Sequence, residues 1–216
     1  GFDVNPVQVT YARAKCFATP EDFREASRMI RDAKSVRGPC AGDPLDAWFD
    51  EHAVRLFRGA EQHLWREAGR SMTETSWREI DGLQSGAALA GLVLLFSVAR
   101  WWTRRGAASN PTWFRPRPYG GQFAVTRREW RSAIDLALES ALREAPDTYR
   151  TGLEISRASA LEMPVADHEV EAVLTSPPYC TRLDYVKASL PELAVLRAPV
   201  GRGLRELRQS MMGTVL

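Results

Sequence analysis

Residues 86 to 99 read GAALAGLVLLFSVA, an apolar stretch of 14 residues with no charged side chain. A membrane-spanning helix needs roughly 20 such residues. The run is shorter than that, so it predicts a buried helix, and a helix apolar on every side must be covered by other elements of the chain. The chain can do this: 44% of its 216 residues are hydrophobic, enough for one substantial core and a smaller lobe. Cys16, Cys40 and Cys180 have no paired spacing, which argues against a disulfide framework or a zinc site and for a reducing compartment. The three histidines are equally scattered. The expectation is a cytoplasmic protein with no metal and no membrane partner.

Charge is unevenly placed. The net charge is +2, yet Ala99 to Arg131 holds eight arginines against the single acid Glu129. Trp101, Trp102, Trp113, Phe114, Tyr119, Phe123 and Trp130 interleave with them. Guanidinium pairs with phosphate and flat rings stack on bases, so this composition suits a nucleic acid. Arg104, Arg105, Arg115 and Arg117, with Trp113, are the candidate contacts. With 26 arginines and three lysines in the whole chain, part of this richness reflects arginine usage, and a solvated helix face is the simpler alternative.

Along the chain, GFDVNP ends like a strand, and Asn5 before Pro6 is a helix start: a capping side chain, then proline at the first helical position. Val7 to Phe17 should be helix. A mostly helical stretch follows, interrupted at residues 37–44, 82–86 and 106–121. Thr126 to Glu144 returns to helical periodicity, with Trp130, Ile134, Leu138 and Leu142 on one face. GLEISR (Gly152 to Arg157) and VEAVLT (Val170 to Thr175) are short, apolar and β-compatible. After the second comes Ser176-Pro177-Pro178-Tyr179, a stiff, extended, non-helical piece of chain. Strands alternating with helices predict an α/β, Rossmann-like doubly wound sheet, incomplete and carrying a large helical insertion, with ligands beyond the carboxyl ends of the strands. The division would be residues 1–19 as the start of the cofactor-binding core, 20–125 as the insertion and 126–216 as the catalytic core. Asp3, ending the first strand, would accept hydrogen bonds from the ribose of a nucleotide-like cofactor.

TSPPY after an apolar strand, preceded by SALEMPVADHEVEAVL and followed by DYVKASLPELAVL, resembles the catalytic motif of S-adenosylmethionine-dependent amino-methyltransferases, especially those that modify the exocyclic amine of cytosine in DNA. GFDVNP resembles the same family's ribose-binding acid. The resemblance implies a methyltransferase fold, S-adenosylmethionine as cofactor and DNA as partner. It implies Ser176, Pro177, Pro178 and Tyr179 as catalytic residues, and Asp3, Asn5, Ser159, Ala160 and Thr175 around the cofactor. The family's glycine-rich loop would precede Asp3, so the chain reads as an internal stretch of such an enzyme, inactive alone. Ser159 stands where the family usually has an aspartate for the adenine.

That motif answers a chemical need. An aromatic amine is a poor nucleophile because its lone pair is delocalised into the ring. Two acceptors holding both amine hydrogens free that pair, and Ser176 Oγ with the Pro177 carbonyl can supply them. The prolines fix the carbonyl's direction, Tyr179 offers a stacking face, and the target base must be flipped out or unpaired. Serine before PPY favours cytosine over adenine. The alternatives are an adenine-amine DNA methyltransferase, an RNA guanine-amine methyltransferase, and an inactive, truncated nucleic-acid-binding relic.

Overall fold

Asn5 starts the first helix as the sequence predicts: its Oδ1 accepts the Val7 N–H at 3.0 Å and Pro6 occupies the first turn. The computed structural model describes residues 1–37, 42–70, 80–104, 114, 117, 121–148, 150–175, 184–198 and 202–210. In chain order these form β1 (Phe2–Asp3), α1 (Pro6–Phe17), α2 (Pro20–Arg31), α3 (Glu51–Glu67), α4 (Gly86–Arg104), α5 (Arg127–Leu142), β2 (Ser156–Arg157), α6 (Tyr185–Ala188), α7 (Leu190–Val195) and α8 (Arg202–Gln209). Capping boxes open α2 (Thr19 with Asp22) and α5 (Thr126 with Glu129), and Asp50 caps α3. Each cap satisfies N–H groups that the first turn leaves without a partner.

The apolar run is the axis of the structure. It belongs to a helix of 19 residues, longer than the 14 apolar residues alone, because Arg100 to Arg104 continue the same helix. By length and composition α4 could cross a membrane. Instead α1, α2, α3, α5 and α7 pack around it and bury Leu89, Leu92, Leu95, Phe96 and Ala99. Each fully buried leucine of this kind contributes about 2 kcal/mol. Gly91 sets the approach of α3: a Cβ there would lie 2.3 Å from Cδ2 of Leu64. The predicted α5 face is also real, with Trp130 and Ile134 buried and Leu138 and Leu142 half-buried against the core.

The expectation of a Rossmann-like doubly wound sheet is overturned. The chain is mostly helical. Among the described residues its sheet consists of two strands of two residues, β1 and β2, paired in parallel with Phe2 opposite Ser156 and Asp3 opposite Arg157. GLEISR is strand only at Ser156–Arg157. VEAVLT forms no strand, and Leu174 is fully exposed. The physical reason is length. A six-residue apolar run looks the same whether it will be a buried strand or an extended segment in solvent, and without a partner on each side its backbone has no ladder to join.

Candidate functional site

β1 delivers Asp3 to the same end as the start of α1. The Asp3 carboxylate accepts the Asn5 N–H through Oδ1 at 2.7 Å. Asp3 sits at an accessible rim, yet partial burial raises its pKa above the ordinary aspartate value, against the opposing hydrogen bonds of the Asn5 and Val4 backbone. Asn5 itself is fully buried. While Oδ1 caps α1, Nδ2 donates to Ser189 Oγ at 3.1 Å, and that hydroxyl donates in turn to the Tyr185 carbonyl at 2.8 Å. Asn5 therefore ties the start of the chain to the segment that follows Ser176–Tyr179.

β2 brings Ser159 and Ala160 to this end as well. The Ala158 N–H donates to the Asp3 carbonyl at 3.3 Å. Ser159 Oγ accepts the Leu161 N–H at 3.2 Å and its carbonyl accepts from Glu162, so Ser159 organises a turn; Ala160 is exposed. Arg157 donates its backbone N–H to Asp81 at 3.0 Å and its Nε to the Val4 carbonyl at 3.4 Å, bracing the two strands. Thr175 is exposed. Ser176, Pro177, Pro178 and Tyr179 lie outside the described residues.

Beneath this surface is a buried polar cluster that sequence reasoning missed. Arg100 of α4 pairs through Nε with Glu192 Oε1 and donates from Nη2 to the Ala188 carbonyl at 2.8 Å. Its guanidinium lies 5.0 Å from the centroid of Phe114. Glu192 is fully buried and its Oε2 has no partner among the described residues. Burial raises the Glu192 pKa above its ordinary value of 4.5, despite Arg100. Tyr11 adjoins the cluster, and burial together with the Glu192 charge raises its hydroxyl pKa too. Arg100 and Glu192 are 92 residues apart, so no local pattern announces the pair.

The raised carboxyl has a measurable consequence. The folded chain holds the Glu192 proton more tightly than the unfolded chain, so this stabilisation is complete below about pH 4.5 and is lost as pH rises through the folded value. Glu192→Gln removes the titration. In urea titrations, the parent should lose stability relative to Glu192→Gln as pH is raised from 4 upward; a difference constant with pH would refute this.

The arginine-rich segment separates into engaged and outward-facing members. Arg104 is exposed at the last turn of α4. Arg117 is half-buried, its guanidinium 3.7 Å from the Phe123 ring centroid and its Nη1 donating to the Gly121 carbonyl at 2.8 Å. Arg105, Trp113 and Arg115 lie outside the described residues. No protein-family model, curated protein or solved structure matches the chain.

Proposed function

We propose that this chain belongs to a cytoplasmic S-adenosylmethionine-dependent DNA methyltransferase acting on the exocyclic amine of cytosine. One observation carries the reading. The three separated stretches that bear the motif resemblance, GFDVNP, RASALEMP and DYVKASLPELAVL, converge at one end of the β1–β2 pair, joined by the Asn5–Ser189 hydrogen bond and the parallel strands. The exposed Asp3 carboxylate fits a ribose hydroxyl of the cofactor, with Ser159 and Ala160 following β2 beside it; buried Asn5 holds the loop in place, and Thr175 is assigned to the cofactor by the resemblance alone. When bound, the cofactor supplies a methyl group activated by its sulfonium centre. The chain's own part is positioning. Ser176 Oγ and the Pro177 carbonyl accept the amine hydrogens, Pro178 stiffens the turn, and Tyr179 offers its face to the flipped base.

A second reading has its own support: the helical architecture with outward-facing arginines suits a nucleic-acid-binding module without catalysis. Mass analysis of nucleosides from DNA incubated with labelled S-adenosylmethionine and the whole enzyme to which the chain belongs separates the two. N4-methylcytosine supports the proposal. N6-methyladenine, or methylguanine from RNA, would redirect it to another amine, and DNA binding without any methylated product would leave the binding module.

A further inference from the structure

Basic side chains form a continuous band around the C-terminal half of α2. Arg24, Arg28 and Arg31 are exposed, four and three residues apart, on one stripe of that helix, spanning about 10 Å of its axis. Arg127, Arg128 and Arg131 flank the stripe from the first turns of α5. Lys34, Arg37 and Arg66 continue it beyond the end of α2. Three open grooves follow the band and merge, two sharing Arg31 and two sharing Arg28. Their walls carry nine arginine and lysine side chains against three carboxylates, Glu21, Asp32 and Asp135, a local charge of +6 in a chain of net +2.

The carboxylates do not cancel the band. Glu21 pairs with Arg24 and Arg28, Asp135 with Arg31 and Asp32 with Arg131, all in exposed positions, where such pairs are weak and a phosphate can compete. Lys34, Arg37, Arg66 and Arg128 form no ion pair among the described residues. The band is also tied to the interior of the chain. Trp130, Phe57, Phe49 and Trp102 form a ladder of ring contacts at 5.0, 5.0 and 6.3 Å. Trp130 donates to the Ile30 carbonyl at the end of α2, and Trp102 lies in the last turns of α4 beside Arg100. The band and the Asn5–Ser189 junction are thus joined through the C-terminal end of α4.

We propose that this band carries the phosphate backbone of duplex DNA. The identity of the polyanion rests on the methyltransferase reading above; the band itself does not. A strand advances 3.4 Å per phosphate along the duplex axis, so the α2 stripe spans about three phosphates, and guanidinium groups can grip them with two hydrogen bonds each. By contrast, Arg100 and Arg117, within the arginine-rich segment that the sequence singles out, are engaged by contacts within the chain.

The test is fluorescence anisotropy of a labelled DNA duplex over a range of salt concentrations. Arg28→Gln/Lys34→Gln/Arg128→Gln should weaken binding to all sequences alike and flatten the slope of log K against log salt by up to about 2.7, three contacts at 0.9 each. Arg143→Gln/Arg150→Gln/Arg205→Gln, which removes equal charge from exposed positions off the band, should leave the slope near that of the parent. Circular dichroism of both variants checks the fold. An unchanged slope in the first variant, an equal loss in the second, or displacement by RNA duplex at lower concentration than by DNA would overturn the proposal. Methyl transfer is read separately, in the whole enzyme to which the chain belongs: its absence alongside the expected slopes would remove the methyltransferase reading and leave the nucleic-acid path standing.

Discussion

Arg58→Ala is expected to lower the stability of the fold by about 3–5 kcal/mol, the cost of stranding buried charge, out of the 5–15 kcal/mol typical of a domain. Arg58 sits on α3 with its side chain 2% exposed, and its donors are all engaged. Nε and Nη2 grip Asp43 at 2.6 and 2.7 Å, Nη1 reaches Glu61 at 2.6 Å, and the Val195 and Ala194 carbonyls accept from Nη1 and Nη2 at 2.7 Å each. Burial opposes the guanidinium charge, and the Glu61 and Asp43 carboxylates outweigh it, holding its pKa above the ordinary value. Removal would leave the buried Asp43 carboxylate without its cation and Glu61 with Arg197 alone. It would also uncap the C-terminal carbonyls of α7, where a cation complements the helix dipole. The next residues depend on the same network: Arg197 adopts a left-handed φ of 59° and donates to Glu61 at 3.2 Å. In urea titrations the midpoint should fall sharply for Arg58→Ala and less for Arg58→Lys, which keeps the charge but loses the fork. A loss under about 1 kcal/mol for alanine, the size of an ordinary surface pair, would contradict this account of the network.

In the whole enzyme to which the chain belongs, Ser176→Ala and Tyr179→Ala should each cut methyl transfer by about 10²–10³-fold, the scale on which a preorganised hydrogen-bonding group acts in a transition state. Serine removal takes one of the two acceptors that hold the amine, so its lone pair returns to the ring and points away from the methyl group. Tyrosine removal takes the stacking face, and the flipped base loses its orientation. The readout is the rate of N4-methylcytosine formation, with circular dichroism and salt-dependent DNA binding as controls that should not move. Parent-like turnover in both variants would sink the catalytic assignment.

What the sequence revealed depended on how local each signal was. Asn5-Pro6 marks the start of α1 because cap and first turn are adjacent, and Trp130 and Ile134 mark the buried face of α5 because four residues make one helical step. The enclosed α4 followed from its lack of charge, although its end did not, since Arg100 looks like a solvent-facing residue until Glu192 is placed. Strand prediction failed at Val170 to Thr175, where the deciding factor was whether a neighbouring strand exists. At the candidate site, the resemblance singled out Asp3, while the hydrogen bond between Asn5 and Ser189, 184 residues apart, left no local trace in the sequence. Arg58 was invisible among 26 arginines; its i,i+3 spacing from Glu61 was the one local hint, and many exposed pairs share that spacing.

The shared central helix also imposes an order on biosynthesis. α1, α2 and α3 precede α4 on the ribosome, so part of its apolar surface can be covered as soon as it emerges. The faces that α5 and α7 occupy must wait until the chain has grown to Val195, an interval of about 5–20 seconds at ordinary elongation rates. During that time a greasy helix stands half-dressed in a nascent chain. The small residues of its first half, Ala87, Ala88, Ala90 and Gly91, leave less apolar surface on show while it waits than an all-leucine helix would.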